Sequence, residues 1–287
     1  MPFNIPTPTR STVVALSLLP VVVPTIYLLA VQAIVSRHVA TSSTKRIRPR
    51  KDQPADAVST EDPPPPHSLP NEVLAPGAPY ILVRERVVSH AVPTAELTTA
   101  ALAPSSSSSS SSFVSEPDKT AALLTAYLRG TMEAFSWTPQ GFLMRSIVSD
   151  PGTRRTFDTD YLRGLDFVTG DVANGAYKVT YRESRSGSVD GQDDAAAAET
   201  RAKAELSVVP LPGRPDLTVH AIIVAAVERS ATEAVFFNET WMWRHARDEK
   251  PTMLEGVLGR WVHGLVGGWM VFKGTRAVTA VGKDKVQ

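Results

Sequence analysis

The sequence contains no cysteine, so disulfides, thiolate-bound metals, iron–sulfur clusters and a cysteine nucleophile are excluded. A secreted, disulfide-stapled scaffold is disfavoured for the same reason. Charge of one sign is lacking too. Against 30 Lys and Arg stand 29 Asp and Glu, a formal net charge of +1, which gives no overall basic field for nucleic acid. There is no P-loop, dinucleotide fingerprint, nucleophile elbow or HExxH zinc motif. The six histidines (His38, His67, His90, His220, His245 and His263) have no close metal-ligand spacing, so neither cofactor nor metal is expected. What remains is a chain of 287 residues, 43% apolar and 21% charged, within the globular range and long enough for one or two domains.

These averages hide three unlike pieces. After an N-terminal tail (residues 1–11), residues 12–35 carry no charge and are mainly Val, Leu, Ile and Ala, bounded by Arg10 and Arg37. About 20 such residues cross a hydrocarbon core, and Pro20 and Pro24 are tolerated in membrane helices. A cleaved signal peptide is the rival reading, with Ala30 and Ala33 near the cut, but the apolar run exceeds the usual core of about 7–15 residues. A single-pass membrane anchor is therefore expected. Only Arg10 precedes it, whereas Arg37, Lys45, Arg46, Arg48, Arg50 and Lys51 follow. That asymmetry puts the C-terminal bulk in the cytosol. The sequon Asn238-Glu239-Thr240 argues the other way, since a glycan on Asn238 requires a lumenal domain.

Residues 36–79 read as a basic, proline-rich linker. They hold few large apolar groups and the run Pro63-Pro64-Pro65-Pro66, which is stiff and extended. The basic cluster serves either anionic headgroups or topology alone. Residues 80–287 form the expected domain, interrupted by low-complexity loops at 104–116, with eight serines from Ser105 to Ser112, and at 184–200, with Ala195 to Ala198. From Pro76 onward 23 Lys and Arg face 24 Asp and Glu, which argues against a phosphate-backbone binder.

Within the domain, strand composition appears at residues 80–88, 174–183, 203–210, 217–228 and 234–245. Ser115-Glu116-Pro117-Asp118 opens an amphipathic helix over 117–136, and the capping box Thr252-Met253-Leu254-Glu255 opens another to about Lys273. The order predicts an α+β fold, a curved antiparallel sheet packed on one or two helices. START-domain-like and NTF2-like cavity folds share this plan, an analogy of shape that does not fix function.

Alternation along Val235–His245 puts Phe237, Glu239, Trp241, Trp243 and His245 on one strand face. A carboxylate among aromatic rings loses solvation and so suits general acid–base work. The bland alternative is that the rings are core and Glu239 pairs with an arginine. His245 lies about 20 Å along the strand from Glu239, too far to touch it. Tyr177 and Tyr181 are assigned to one face as hydroxyl donors, or as ordinary half-buried strand residues. His220 reads as a core group, and Asp166 and Asp171 as turn residues. The last helix carries Trp261, Trp269 and Phe272 together with Gly256, Gly259, Gly264, Gly267 and Gly268. Each helical glycine costs about 1 kcal/mol. Close helix–sheet approach, room for a ligand beside Trp261, or insertion at the membrane interface would each offset that cost.

At Phe237-Asn238-Glu239-Thr240-Trp241-Met242-Trp243-Arg244, then Leu254-Glu255-Gly256 and Gly259-Arg260-Trp261-Val262-His263-Gly264, the chain resembles uncharacterised fungal membrane-anchored proteins. These are often encoded beside polyketide or hybrid polyketide–peptide pathways. The resemblance covers residues 76–280 and carries no catalytic residue across. It implies a role in secondary metabolism. The leading expectation is a cofactor-independent cyclase, isomerase or dehydratase that acts on a hydrophobic polyketide-like small molecule. Glu239 would be its acid or base and Tyr181 and Tyr177 would polarise a carbonyl, in a pocket lined by Phe237, Trp241, Trp243 and Trp261. The alternatives are a non-catalytic lipid or metabolite carrier, and a membrane scaffold that docks a partner enzyme of the pathway through its last helix.

Overall fold

The computed structural model describes residues 26–47, 64–102, 115–187, 199–211, 213 and 219–279. The serine run, the four alanines and residues 12–25 of the expected anchor lie outside the described residues. The described remainder of that anchor belongs to a helix over 26–38 (α1). Among the described residues no helix is long and apolar enough to cross a membrane.

The architecture is α+β, built on one curved antiparallel sheet. Its strands are β1 (Val39–Ile47), β2 (Tyr80–Ser89), β3 (Val92–Pro93), β4 (Val172–Ala173), β5 (Tyr177–Gly187), β6 (Glu199–Val208), β7 (Ala221–Arg229) and β8 (Glu233–His245). They lie in the order β1-β2-β8-β7-β6-β5-β4, with β3 also paired to β8. The helices are α2 (Asn71–Leu74), α3 (Glu116–Ser136), α4 (Pro139–Ile147), α5 (Pro151–Arg155), α6 (Thr159–Gly164) and α7 (Val257–Val278). The five expected strands and two expected helices are all present, with ends shifted by a few residues. Ser115 caps α3 by accepting from the Asp118 N–H, and the Thr252–Glu255 box caps the 3-10 turn that leads into α7.

The linker expectation fails at both ends. Residues 39–47 pair with β2 along their whole length, from Val39 opposite Ser89 to Ile47 opposite Ile81. A Thr- and Ser-rich strand with basic residues suits a sheet edge, where charge on the rim is tolerated. Residues 64–79 fold over the sheet, and Leu69 and Val73 join a small apolar cluster with Leu82, Ile222, Val224 and Trp241. The strands β5 and β6 also run into the expected 184–200 loop, to Gly187 and from Glu199.

Helices α3 and α7 cover one face of the sheet. Leu123, Leu124, Leu128, Met132 and Phe135 of α3 meet Ala202, Ala204, Leu206, Ala225, Val227 and Phe236 of the strands in the main core. Burial of each large side chain there contributes about 1.5–3 kcal/mol. The glycines of α7 answer to close approach. A Cβ on Gly268 would collide with Val35 of α1, and one on Gly274 with Thr131 and Tyr127 of α3. On this face the buried Glu85 of β2 is hydrogen-bonded to the His263 ring of α7, beside Gly264.

Candidate functional site

The expected face of β8 forms, and it is the face turned away from α3 and α7. Register across the sheet aligns Ser42, Arg86, Glu239, Val224, Glu205 and Tyr181 in one row. On β6, Arg201, Lys203 and Glu205 alternate with the core residues Ala202, Ala204 and Leu206, so the same alternation that builds the core loads this open face with charge.

A half-open cleft of about 640 Å³ occupies the face, under the strap formed by Pro64, Pro65, Pro66 and His67. Apart from the prolines, Tyr181 and Val224, its walls are imidazole, carboxylate, guanidinium and ammonium groups from His67, Glu183, Arg185, Glu199, Arg201, Lys203, Glu205, Glu228 and Glu239. The pocket expected to be apolar is thus lined mostly by ionisable residues on the face where Glu239 lies.

Glu239 is buried and fully engaged. Its Oε1 accepts from Arg84 and Arg86, each at 3.1 Å, and its Oε2 accepts from the Trp241 indole N–H at 3.1 Å. Arg86 lies over the Phe237 ring at 4.2 Å, and Arg201 lies over the same ring at 5.6 Å. The carboxylate therefore positions two guanidiniums, the arginine pairing that was its alternative reading. Trp241 and Trp243 share this face but sit beneath the Leu69–Leu74 segment, outside the cleft lining.

Phe237, beneath the two guanidiniums, is outside the cleft lining as well, and Tyr177 and Trp261 lie elsewhere. Between Val179 and Tyr181 the β5–β6 register shifts, so Thr180 is an extra residue and the side-chain alternation flips. Tyr177 consequently faces α3, edge-on to Phe135 at 5.3 Å, and burial pushes its hydroxyl pKa up. Tyr181 faces the cleft. Arg182, next in the chain, points to the helix side and donates to the Ala121 carbonyl and Thr125 hydroxyl. Trp261 is on the first turns of α7, partly exposed and far from the cleft lining.

Sequence reasoning missed the groups around Tyr181. The Tyr181 hydroxyl donates to Glu183 Oε2 at 2.6 Å, and its ring stacks on His67 with centroids 4.4 Å apart. Lys203 Nζ lies 5.0 Å over the same ring and bridges Glu183 at 3.8 Å and Glu205 at 3.3 Å. Arg185 pairs with the other Glu183 oxygen. Glu205 is wholly buried and accepts from the backbone N–H groups of His67 at 2.8 Å and Ser68 at 2.7 Å. It thereby ties the strap to the sheet. The signal for this cluster was in the sequence, as ionisable residues at alternate positions of two paired strands.

The residues of three smaller readings are placed here. Asn238 of the sequon is buried, and its Oδ1 accepts from the Tyr127 hydroxyl at 3.0 Å. Asp171 closes its turn by accepting from the Val168 N–H at 2.9 Å. His220 is exposed and stacks on Trp243 rather than filling a core. Among the described residues no three His, Asp or Glu side chains gather as a metal site. Comparison of the chain with protein-family models, curated proteins and solved structures yields no match.

Proposed function

We propose that the protein is a membrane-anchored enzyme of secondary metabolism, which carries out cofactor-independent isomerisation, cyclisation or dehydration of a polyketide-like intermediate in the cleft. The observation that supports this best is the hydrogen bond from the Tyr181 hydroxyl to Glu183, with Lys203 beside both. A START-domain-like or NTF2-like site would lie between helix and sheet. That space is occupied by Tyr127, Leu128, Met132, Phe135 and Phe236, which favours the opposite face.

The ionisable lining favours a substrate rich in carbonyl and hydroxyl oxygens over a purely hydrophobic one. In the proposed step Glu183 takes a proton from the carbon beside a carbonyl, and Tyr181 gives its proton to the carbonyl oxygen as the enol forms. The tyrosinate then recovers the proton held by Glu183, which leaves both groups as they began. Lys203 offsets the negative charge during the transfer. Orientation comes from Arg201, whose guanidinium lines the cleft.

A non-catalytic carrier is the second reading, favoured by the complete engagement of Glu239. Metabolite profiling of a deletion strain complemented with Glu183→Gln separates the two. Accumulation of an unconverted precursor supports the enzyme. Full restoration of product overturns it and leaves the carrier.

A further inference from the structure

Two helices present apolar side chains at one end of the molecule. Val35 of α1 meets Gly268 of α7, and His38 lies 4.8 Å from Phe272, so the helices run parallel. At equal rise per residue, seven residues back, Leu28 comes level with Trp261. Ile26, Tyr27 and Leu29 are exposed there, as are Val257 (78%), Leu258 (72%) and Trp261 (43%). All six lie toward the N-terminal ends of the two parallel helices. The uncharged run from Thr12 enters α1 at this end.

Strand β1 ends there too. Val87 lies under Gly267, Glu85 under Gly264 and Val83 against Leu254, so β2 descends toward the start of α7. Ile47, opposite Ile81, is at the same end. From it the chain passes into Arg48-Pro49-Arg50-Lys51, outside the described residues.

We infer that this end of the domain seats in an anionic lipid bilayer, with Val257, Leu258 and Trp261 in the interface beside the anchor. An aromatic residue and aliphatic side chains on a helix end suit the headgroup–acyl boundary. The positive charge carried by the chain just past Ile47 complements anionic headgroups. The inference rests on the anchoring part of the proposed function and is independent of the cleft chemistry.

The test reconstitutes the full chain into phosphatidylcholine–phosphatidylserine vesicles that contain brominated lipid, and measures flotation and tryptophan quenching. Docking predicts quenching that Trp261→Phe largely removes and that Trp137→Phe, at the exposed end of α3, leaves intact. The paired change Val257→Asp with Leu258→Asp should abolish Trp261 quenching while the chain still floats. Flotation with quenching insensitive to Trp261→Phe overturns docking and spares the anchor. Failure to float overturns both. Self-association that Val257→Asp abolishes, without lipid quenching, overturns the bilayer in favour of a second copy of the chain.

Discussion

Phe236 and Phe237 are neighbours in β8, both fully buried, yet they live on opposite sides of the sheet. Phe236 packs within the main core, beside Tyr127 at 5.1 Å. Phe237 is covered by the guanidiniums of Arg86 and Arg201. The helix face is filled by rigid apolar side chains and close helix crossings. The other face is closed by long, charged side chains that water and ligands can replace. Burial alone does not distinguish the two; the material that does the burying does.

The largest effect should come from Phe236→Ala, which leaves a cavity between helix and sheet that close packing cannot fill. A loss of about 3–5 kcal/mol in urea unfolding is expected. Phe237→Ala should cost nearer 2 kcal/mol, because arginine stems can collapse and water can enter from the cleft. Equal losses would break the contrast between the faces.

Glu205→Ala tests the charged face at its most buried point. It strands the N–H groups of His67 and Ser68 and takes from Lys203 the nearer of its two carboxylate partners. Loss of a buried charged partner costs about 3 kcal/mol. Limited proteolysis should then cut the chain after His67 or Ser68 faster than in the wild-type protein. An unchanged rate would mean that Leu69 and Val73 alone hold the strap.

Much of this contrast was legible in the sequence. The β8 alternation, the strand at 80–89 and both cap signals gave the sheet and its two long helices, because period and capping are local properties. The bulge at Thr180 was not legible. A strict period of two assumes an unbroken ladder, and one extra residue moves every later side chain across the sheet. Tyr177 and Tyr181 were separated by that single residue. Strand β1 was hidden by its polar composition, since an edge strand needs a partner more than an apolar run. Helices α4 and α5 begin at Thr138-Pro139 and Asp150-Pro151, where each cap residue accepts from a backbone N–H three residues on. Those signals were present, but each marks a helix too short to show periodicity. The strap was misread because its order comes from Glu205, far away in sequence.

A third comparison is with the rim where β8 meets α7. Arg244 grips Glu255 through both carboxylate oxygens, at 2.6 and 3.0 Å. The Arg244 guanidinium, with help from the Thr252 N–H, lowers the Glu255 pKa from 4.5 to about 2. A carboxylate whose pKa falls on folding adds stability that is complete above the unfolded value and lost as pH drops through the folded one. Acid titration should therefore show stability declining between pH 4.5 and about 2. Glu255→Gln should flatten that part of the profile, as followed by thermal unfolding. An unchanged profile would assign the acid sensitivity to other carboxylates.

The smallest expected change in stability belongs to Tyr181→Phe, and it sharpens the comparison most. The substitution keeps the ring that stacks on His67 and removes only the hydroxyl bonded to Glu183. Glu183 retains Lys203 and Arg185 as partners, so unfolding should shift by about 1 kcal/mol or less. The same change removes the group that protonates the substrate oxygen in the proposed step, and conversion should fall by about 100-fold or more. A helix-face substitution of equal stability cost should leave conversion unaffected. If Tyr181→Phe lowers stability by several kcal/mol and conversion only in proportion to the folded fraction, the hydroxyl serves the fold. The open face would then resemble the helix face in purpose as well as in burial.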